Sequence, residues 1–170
     1  MAKAKKQAAL PFSLRSVYLR EGKQWMLEDF DPMVPGQPMF GQFKASGHRV
    51  EVREAVENVP DAKPIRSCLI STNFQFRYLN TQLEKLPKDE DDGKYVVAEI
   101  SARIATDYLI EAAETPPKDE LEHWASRNAV LHCWPYWREF CHSTLLRMNL
   151  PVTMMPMLVI DNNSVKNKKE

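Results

Sequence analysis

The chain is predicted to fold as an α+β domain, an antiparallel sheet packed against helices that come last in the sequence. Three observations predict it. Segments alternating apolar and polar residues come first and segments of helical periodicity come last, the order that defines this class. The alternating segments are short and end in polar turns, which suits an antiparallel sheet with one covered face and one wet face. At 170 residues the chain is also the size of one ordinary domain with a modest core.

Phe12, Leu14 and Tyr18 lie at even positions among Ser13, Arg15 and Val17, and predict a first strand. From Gly22 to Gly47 the chain is punctuated by Pro32, Pro35, Gly36, Pro38 and Gly41, which predicts a long loop. That loop is unusually apolar, with Trp25, Leu27, Phe30, Met33, Phe40 and Phe43, so it is expected to be functional or packed over the core. Val50, Val52 and Val56 predict a second strand starting near His48. In the third, Phe74, Phe76 and Tyr78 share a face, and in the fourth, after Asp92-Gly93, Val96, Ala98, Ile100, Ala102 and Ile104 do so. Thr115–Glu120 puts proline and acids into a helix start, and a short helix through Trp124 is expected. A long helix should follow from about Asn128 to Met148, since Val130, Trp134, Trp137, Cys141, Leu145 and Met148 make an apolar stripe. Pro135 either opens that helix or kinks it, and Pro151 ends it. The domain is expected over residues 11–160, with basic tails at 1–10 and 161–170 that are solvated and disordered.

The composition is 44% hydrophobic and 27% charged with formal net charge +0, as in a soluble globular protein with no global field toward nucleic acid or membrane. No apolar run reaches the ~18–20 residues that span a bilayer, and no signal-peptide pattern opens the chain. Cys68, Cys133 and Cys141 lack CxxC spacing, which reads as free thiols in a cytoplasmic protein. No glycine-rich phosphate loop occurs. His132-Cys133 and Cys141-His142 are about 13 Å apart on a continuous helix, too far for one metal ion. Arg138, Glu139 and His142 have no nucleophile beside them and read as a surface ion-pair group. The Phe74, Phe76 and Tyr78 stripe lacks the basic flank of a base-stacking platform and reads as core or groove. No catalytic residue, metal or cofactor is therefore expected.

The segment Trp134–Leu158 is the most informative in the chain. It begins as an amphipathic helix and ends as a methionine-rich run with no charged residue from Asn149 to Ile160. Such a run is rarely exposed without a use, and methionine's flexible, polarizable side chain suits surfaces that accept many partners.

The run Trp134-Pro135-Tyr136-Trp137-Arg138-Glu139, followed by Leu150-Pro151 and then Pro156, resembles the signature of SecB-type export chaperones. Phe12–Tyr18 resembles that family's first strand, and the Trp25–Phe43 stretch its long crossover loop. The resemblance implies a four-stranded antiparallel sheet packed with a long C-terminal helix and a short preceding one, assembled as a homotetramer, a dimer of dimers. It also implies an ATP-independent holdase with no catalytic activity, which binds unfolded or nascent polypeptides through apolar grooves. Here those would be Trp25, Leu27, Phe30, Met33, Phe40 and Phe43 of the crossover segment, with Leu150, Val152, Met154, Met155, Met157 and Leu158 of the tail. Part of the stripe Trp134, Trp137, Cys141, Leu145 and Met148 would lie at the oligomer interface. The family's acidic sheet face docks the SecA translocase motor, whereas this chain is neutral and ends in lysines. Some relatives protect an unstable antitoxin, so export service and a dedicated client are both expected. The residues leave open a purely structural α+β oligomer and a small apolar-ligand binder, and exposure of the apolar segments separates these readings.

Overall fold

The structure, a computed structural model, describes residues 12–55, 64–80, 92–112 and 114–155. Strands β1 (Phe12–Met26), β2 (Met39–Ala55), β3 (Ile65–Asn80) and β4 (Val96–Ile110) precede one helix, α1 (Lys118–Arg147). A short 3-10 turn, Asp92–Tyr95, leads into β4. The strands form one antiparallel sheet in the order β1-β4-β3-β2. Consecutive strands β1 and β2 thus occupy opposite edges, and residues 27–38 must cross between them.

Residues directly opposed in an antiparallel pair share a face. Phe74 faces Ala102, Phe76 faces Ile100, and Tyr78 faces Ala98, and all six are buried under α1. The predicted stripes on the central strands are therefore the covered face. Burial leaves the three aromatics no stacking platform for bases. The other face carries the charges: Arg15 bonds Asp107, Glu21 pairs with Lys23 and Arg103, and Arg53 bonds Glu51. With 30 residues, α1 is about 45 Å long, close to the ~50 Å of a 15-residue strand, so one helix covers the sheet lengthwise. Its first half packs Leu121, Ala125 and Ala129 on Cys68, Ile70, Tyr108 and Ile110. Its second half packs Cys133, Trp134, Trp137, Cys141 and Leu145 on the aromatics of β3.

Two expectations are corrected, and the position of Pro135 is decided. No separate short helix precedes the long one, because residues 118–124 are the first turns of α1 itself. Between the two expected helices the polar residues bond back to helix carbonyls: Ser126 Oγ to His123 O at 2.8 Å and Asn128 Nδ2 to Trp124 O at 3.0 Å. Ala125 and Ala129 meanwhile carry the buried stripe through. Pro135 lies inside the helix. The carbonyl it orphans belongs to Leu131, an exposed residue that water can reach. Finally, the edge strands run further than expected: β1 continues to Met26 and β2 begins at Met39, so Trp25, Phe40 and Phe43 are strand residues.

Glycine explains that last difference. A Cβ on Gly22 would come within 2.8 Å of Phe140 Cζ, and one on Gly41 within 3.0 Å of Phe76 Cζ. Both glycines read as breakers in one dimension but are covered by aromatic rings in three. Val56 and the expected tails at 1–10 and 161–170 lie outside the described residues.

The helix ends before Pro151, at Asn149, whose φ is 56°. Asn149 N–H bonds Leu146 O at 3.2 Å, and Leu150 N–H bonds Leu145 O at 3.0 Å. This is the Schellman arrangement, with Leu150 and Leu145 in the same apolar cluster. Asn149→Ala should lower the unfolding free energy by about 1–2 kcal/mol, because a Cβ without a compensating polar group is strained there. Asn149→Gly should be nearly neutral. Urea denaturation of both variants checks this, and equal losses would remove the conformational explanation.

A pH effect arises at His48, where β2 bulges at Gly47. Burial pushes the imidazole pKa below its ordinary 6.5, and Nδ1 lies 3.2 Å from Thr72 Oγ1. The unfolded chain therefore takes up this proton before the folded one does. This contribution is absent above about pH 7 and destabilises the fold as pH falls through about 6.5, levelling only below the folded pKa. His48→Asn should flatten that part of a stability–pH profile, and an unchanged slope would assign it to other groups.

Candidate functional site

The crossover segment is tied down at its start and middle. Leu27 N–H bonds Val97 O of β4 at 2.9 Å, and Phe30, 8% exposed, joins the core cluster. Asp31 then organises the turn: its Oδ1 accepts Met33 N–H at 2.9 Å, and its carbonyl accepts Gln37 Nε2 at 2.6 Å. What remains outward is apolar. Leu27, Met33 and Val34 are exposed, Met33 to 67%.

The tail is held in the same way. Leu150 and Met155 are buried in the core cluster. Between them the Tyr78 hydroxyl donates to Pro151 O at 2.5 Å and lies 2.5 Å from Thr153 Oγ1. Burial raises the Tyr78 pKa, outweighing the opposite effect of the Thr153 bond, so the phenol keeps the proton it donates. Val152 and Met154 point outward, Met154 at 88% exposure. Asn149 Nδ2 reaches the sulfur of Met33, which sets crossover and tail side by side. A cleft of about 430 Å³ separates the tail from α1, with Pro135, Arg138, Glu139 and His142 opposite Thr153, Met154 and Met155.

The predicted groove residues therefore divide. Leu27, Met33, Val152 and Met154 are displayed on the joined segments, while Phe30, Leu150 and Met155 anchor them from below. Phe43 is exposed on the helix side of β2, its ring 6.0 Å from that of Trp134. Trp25 and Phe40 are exposed on the opposite face, across from Glu99 and Leu79. Met157 and Leu158 lie outside the described residues. Val34, one of the apolar residues of this segment, is exposed beside Met33.

Of the stripe expected at an oligomer interface, Trp134, Trp137, Cys141 and Leu145 are buried by the chain's own sheet and Met148 is partly buried. By helical spacing the outer face of α1 carries Leu131, Pro135, His142 and Leu146, all exposed. These went unnoticed because each stands beside residues of the apolar stripe (Val130 and Cys133 near Leu131, Leu145 next to Leu146), so nothing along the sequence sets it apart.

The polar inventory offers little chemistry. Burial pushes the Cys68 thiol up to about 11 and those of Cys133 and Cys141 up to about 12, so at neutral pH they are weak nucleophiles. His132 Nδ1 lies 2.7 Å from the Tyr108 hydroxyl, within an aromatic group that includes Trp124 and Phe12. Among the described residues no group of three or more His, Cys, Asp or Glu could hold a metal ion, and no helix is long and apolar enough to cross a membrane.

No family model and no curated protein matches this sequence. A solved structure does match by shape: the Mycobacterium tuberculosis Rv1957 SecB-like chaperone, in complex with a ChAD peptide from the Rv1956 HigA1 antitoxin. The likeness covers 88% of this chain and 91% of that one, with a TM-score of 0.59 and 17% identity. With the sheet order, the edge-to-edge crossover and the long C-terminal helix, this identifies the architecture: the chain has a divergent SecB-like fold.

Proposed function

We propose that this protein is an ATP-independent holdase that binds non-native polypeptides on the apolar surface of the crossover and tail. One observation carries the reading. The two segments are fixed from below by buried Phe30, Leu150 and Met155, yet they turn Leu27, Met33, Val152 and Met154 to the outside. A segment that only completed its own core would turn these inward as well. The two most exposed of them, Met33 and Met154, are unbranched and flexible, as a surface meeting varied clients requires. The antitoxin peptide on the fold neighbour supports a polypeptide client.

The proposal includes a homotetramer built as a dimer of dimers, with Leu131 and Leu146 on the outer face of α1 as the surface available for it. It also places the protein in the cytoplasm. Between export and a dedicated client such as an antitoxin, the outer sheet face favours the latter. Arginines and lysines there are at least as prominent as acids, unlike the acidic face that docks SecA in the resembled family.

The test is light scattering of an aggregating unfolded model protein, without nucleotide, with the chaperone's mass measured alongside. Suppression by a tetramer near one client per oligomer supports a general holdase. If aggregation proceeds unchanged and pull-down finds no dedicated polypeptide either, the proposal fails in favour of a structural oligomer.

A further inference from the structure

A second concavity lies at the β2 edge, with its polar side chains on the face of the sheet away from α1. Gln42 is paired with Arg77 and Lys44 with Gln75 across β2 and β3, so these four share the outer face. With Phe40, Gly41 and Phe43 of the same strand they line a hollow of about 370 Å³. Among the described residues no acid lines it. The Arg77 guanidinium is held in place by a 2.9 Å bond from Nη2 to Gln42 Oε1, and Glu99 faces it from β4, on the far side from Lys44. Lys44 is exposed and has no ion pair among the described residues. Further along β2, past the Gly47 bulge, Arg49 adds another exposed cation to the same face.

The geometry points to a docking site for an acidic, extended segment of a partner polypeptide. A carboxylate seated in the hollow would accept charge-assisted hydrogen bonds from Lys44 Nζ and the Gln75 amide, with Arg77 adding positive potential. The Phe40 ring supplies an apolar wall for the neighbouring side chain. Among the described residues β2 is paired on one side only, with β3, so its outer backbone edge can hydrogen-bond the same segment as an added strand. This surface is separate from the crossover and tail, and its partner is recognised by charge and backbone rather than by apolar bulk.

Fluorescence anisotropy with a labelled peptide of alternating glutamate and threonine, and a lysine–threonine peptide as control, tests this on the full chain. The glutamate peptide should bind, more weakly as salt is raised, and the control should not. Lys44→Glu should weaken binding by about tenfold or more. Lys23→Glu, on the far edge strand, should leave it within about twofold, the usual scale for an exposed charge outside a contact. Lys44 is exposed, so the variant should fold. Its suppression of client aggregation should be unaltered, which separates failure here from failure of the holdase proposal. Equal binding of both peptides, or an unaffected Lys44→Glu variant, overturns the assignment. So does tighter binding by a single-stranded oligonucleotide of equal charge, which would give the surface to nucleic acid.

Discussion

Trp137→Ala is expected to lower the unfolding free energy by about 3–5 kcal/mol, the range for deleting a large buried aromatic. Trp137 is 0% exposed and stacks on Phe74, with centroids 5.5 Å apart and an interplanar angle of 15°. It sits where α1 crosses the middle of β3, so its loss leaves a void between the two main layers rather than a dent at an edge. Against a total stability of about 5–15 kcal/mol, that loss would leave many molecules unfolded at physiological temperature. Trp137→Phe should be far milder. The indole Nε1 is buried without a hydrogen-bond partner among the described residues, so phenylalanine removes a polar group whose isolation costs about 1–3 kcal/mol while keeping most of the ring. Urea denaturation of the two variants decides it. A Trp137→Ala loss below about 1 kcal/mol, the usual scale for a surface position, would mean that the residue serves an intermolecular contact instead.

The second large effect concerns binding. The double substitution Met33→Ser with Met154→Ser should weaken client binding at least tenfold, since burying one methionine side chain contributes about 1.5–3 kcal/mol and tenfold needs about 1.4 kcal/mol. Both side chains are largely exposed, so stability should stay within about 0.5 kcal/mol of the unaltered protein. Met155→Ser should do the opposite, costing about 2–5 kcal/mol of stability through its buried anchor position. The measurements are concentration-dependent suppression of client aggregation and denaturation of each variant. If the double variant suppresses aggregation as well as the unaltered chain, clients bind elsewhere.

The contrast between Met154 and Met155 marks the limit of what could be read in advance. The uncharged tail was recognisable as special, but an extended segment has no period to sort its residues. Two adjacent methionines become anchor and display only because Tyr78 holds the Pro151 carbonyl and the Thr153 hydroxyl. The central strands were easier. Phe74, Phe76 and Tyr78 alternate because β3 has one face under the helix, and alternation is a local signal. On the edge strands Gly22 and Gly41 obscured it, since the rings that cover them come from Phe140 and Phe76.

What the sequence by itself determined is the class of fold, the covered faces of the central strands, the apolar stripe of the helix and the two segments that carry excess apolar side chains. Each is a pattern in neighbouring residues, set by the period of a strand or a helix. Only the tertiary structure decided that the helix is continuous from Lys118 to Arg147, and that its tryptophans serve their own sheet. It likewise decided that crossover and tail meet at Asn149 and Met33, leaving part of their apolar bulk outside. Those outcomes depend on which distant element arrives to cover a surface, and burial is a property of that arrival, not of the residue that waits for it.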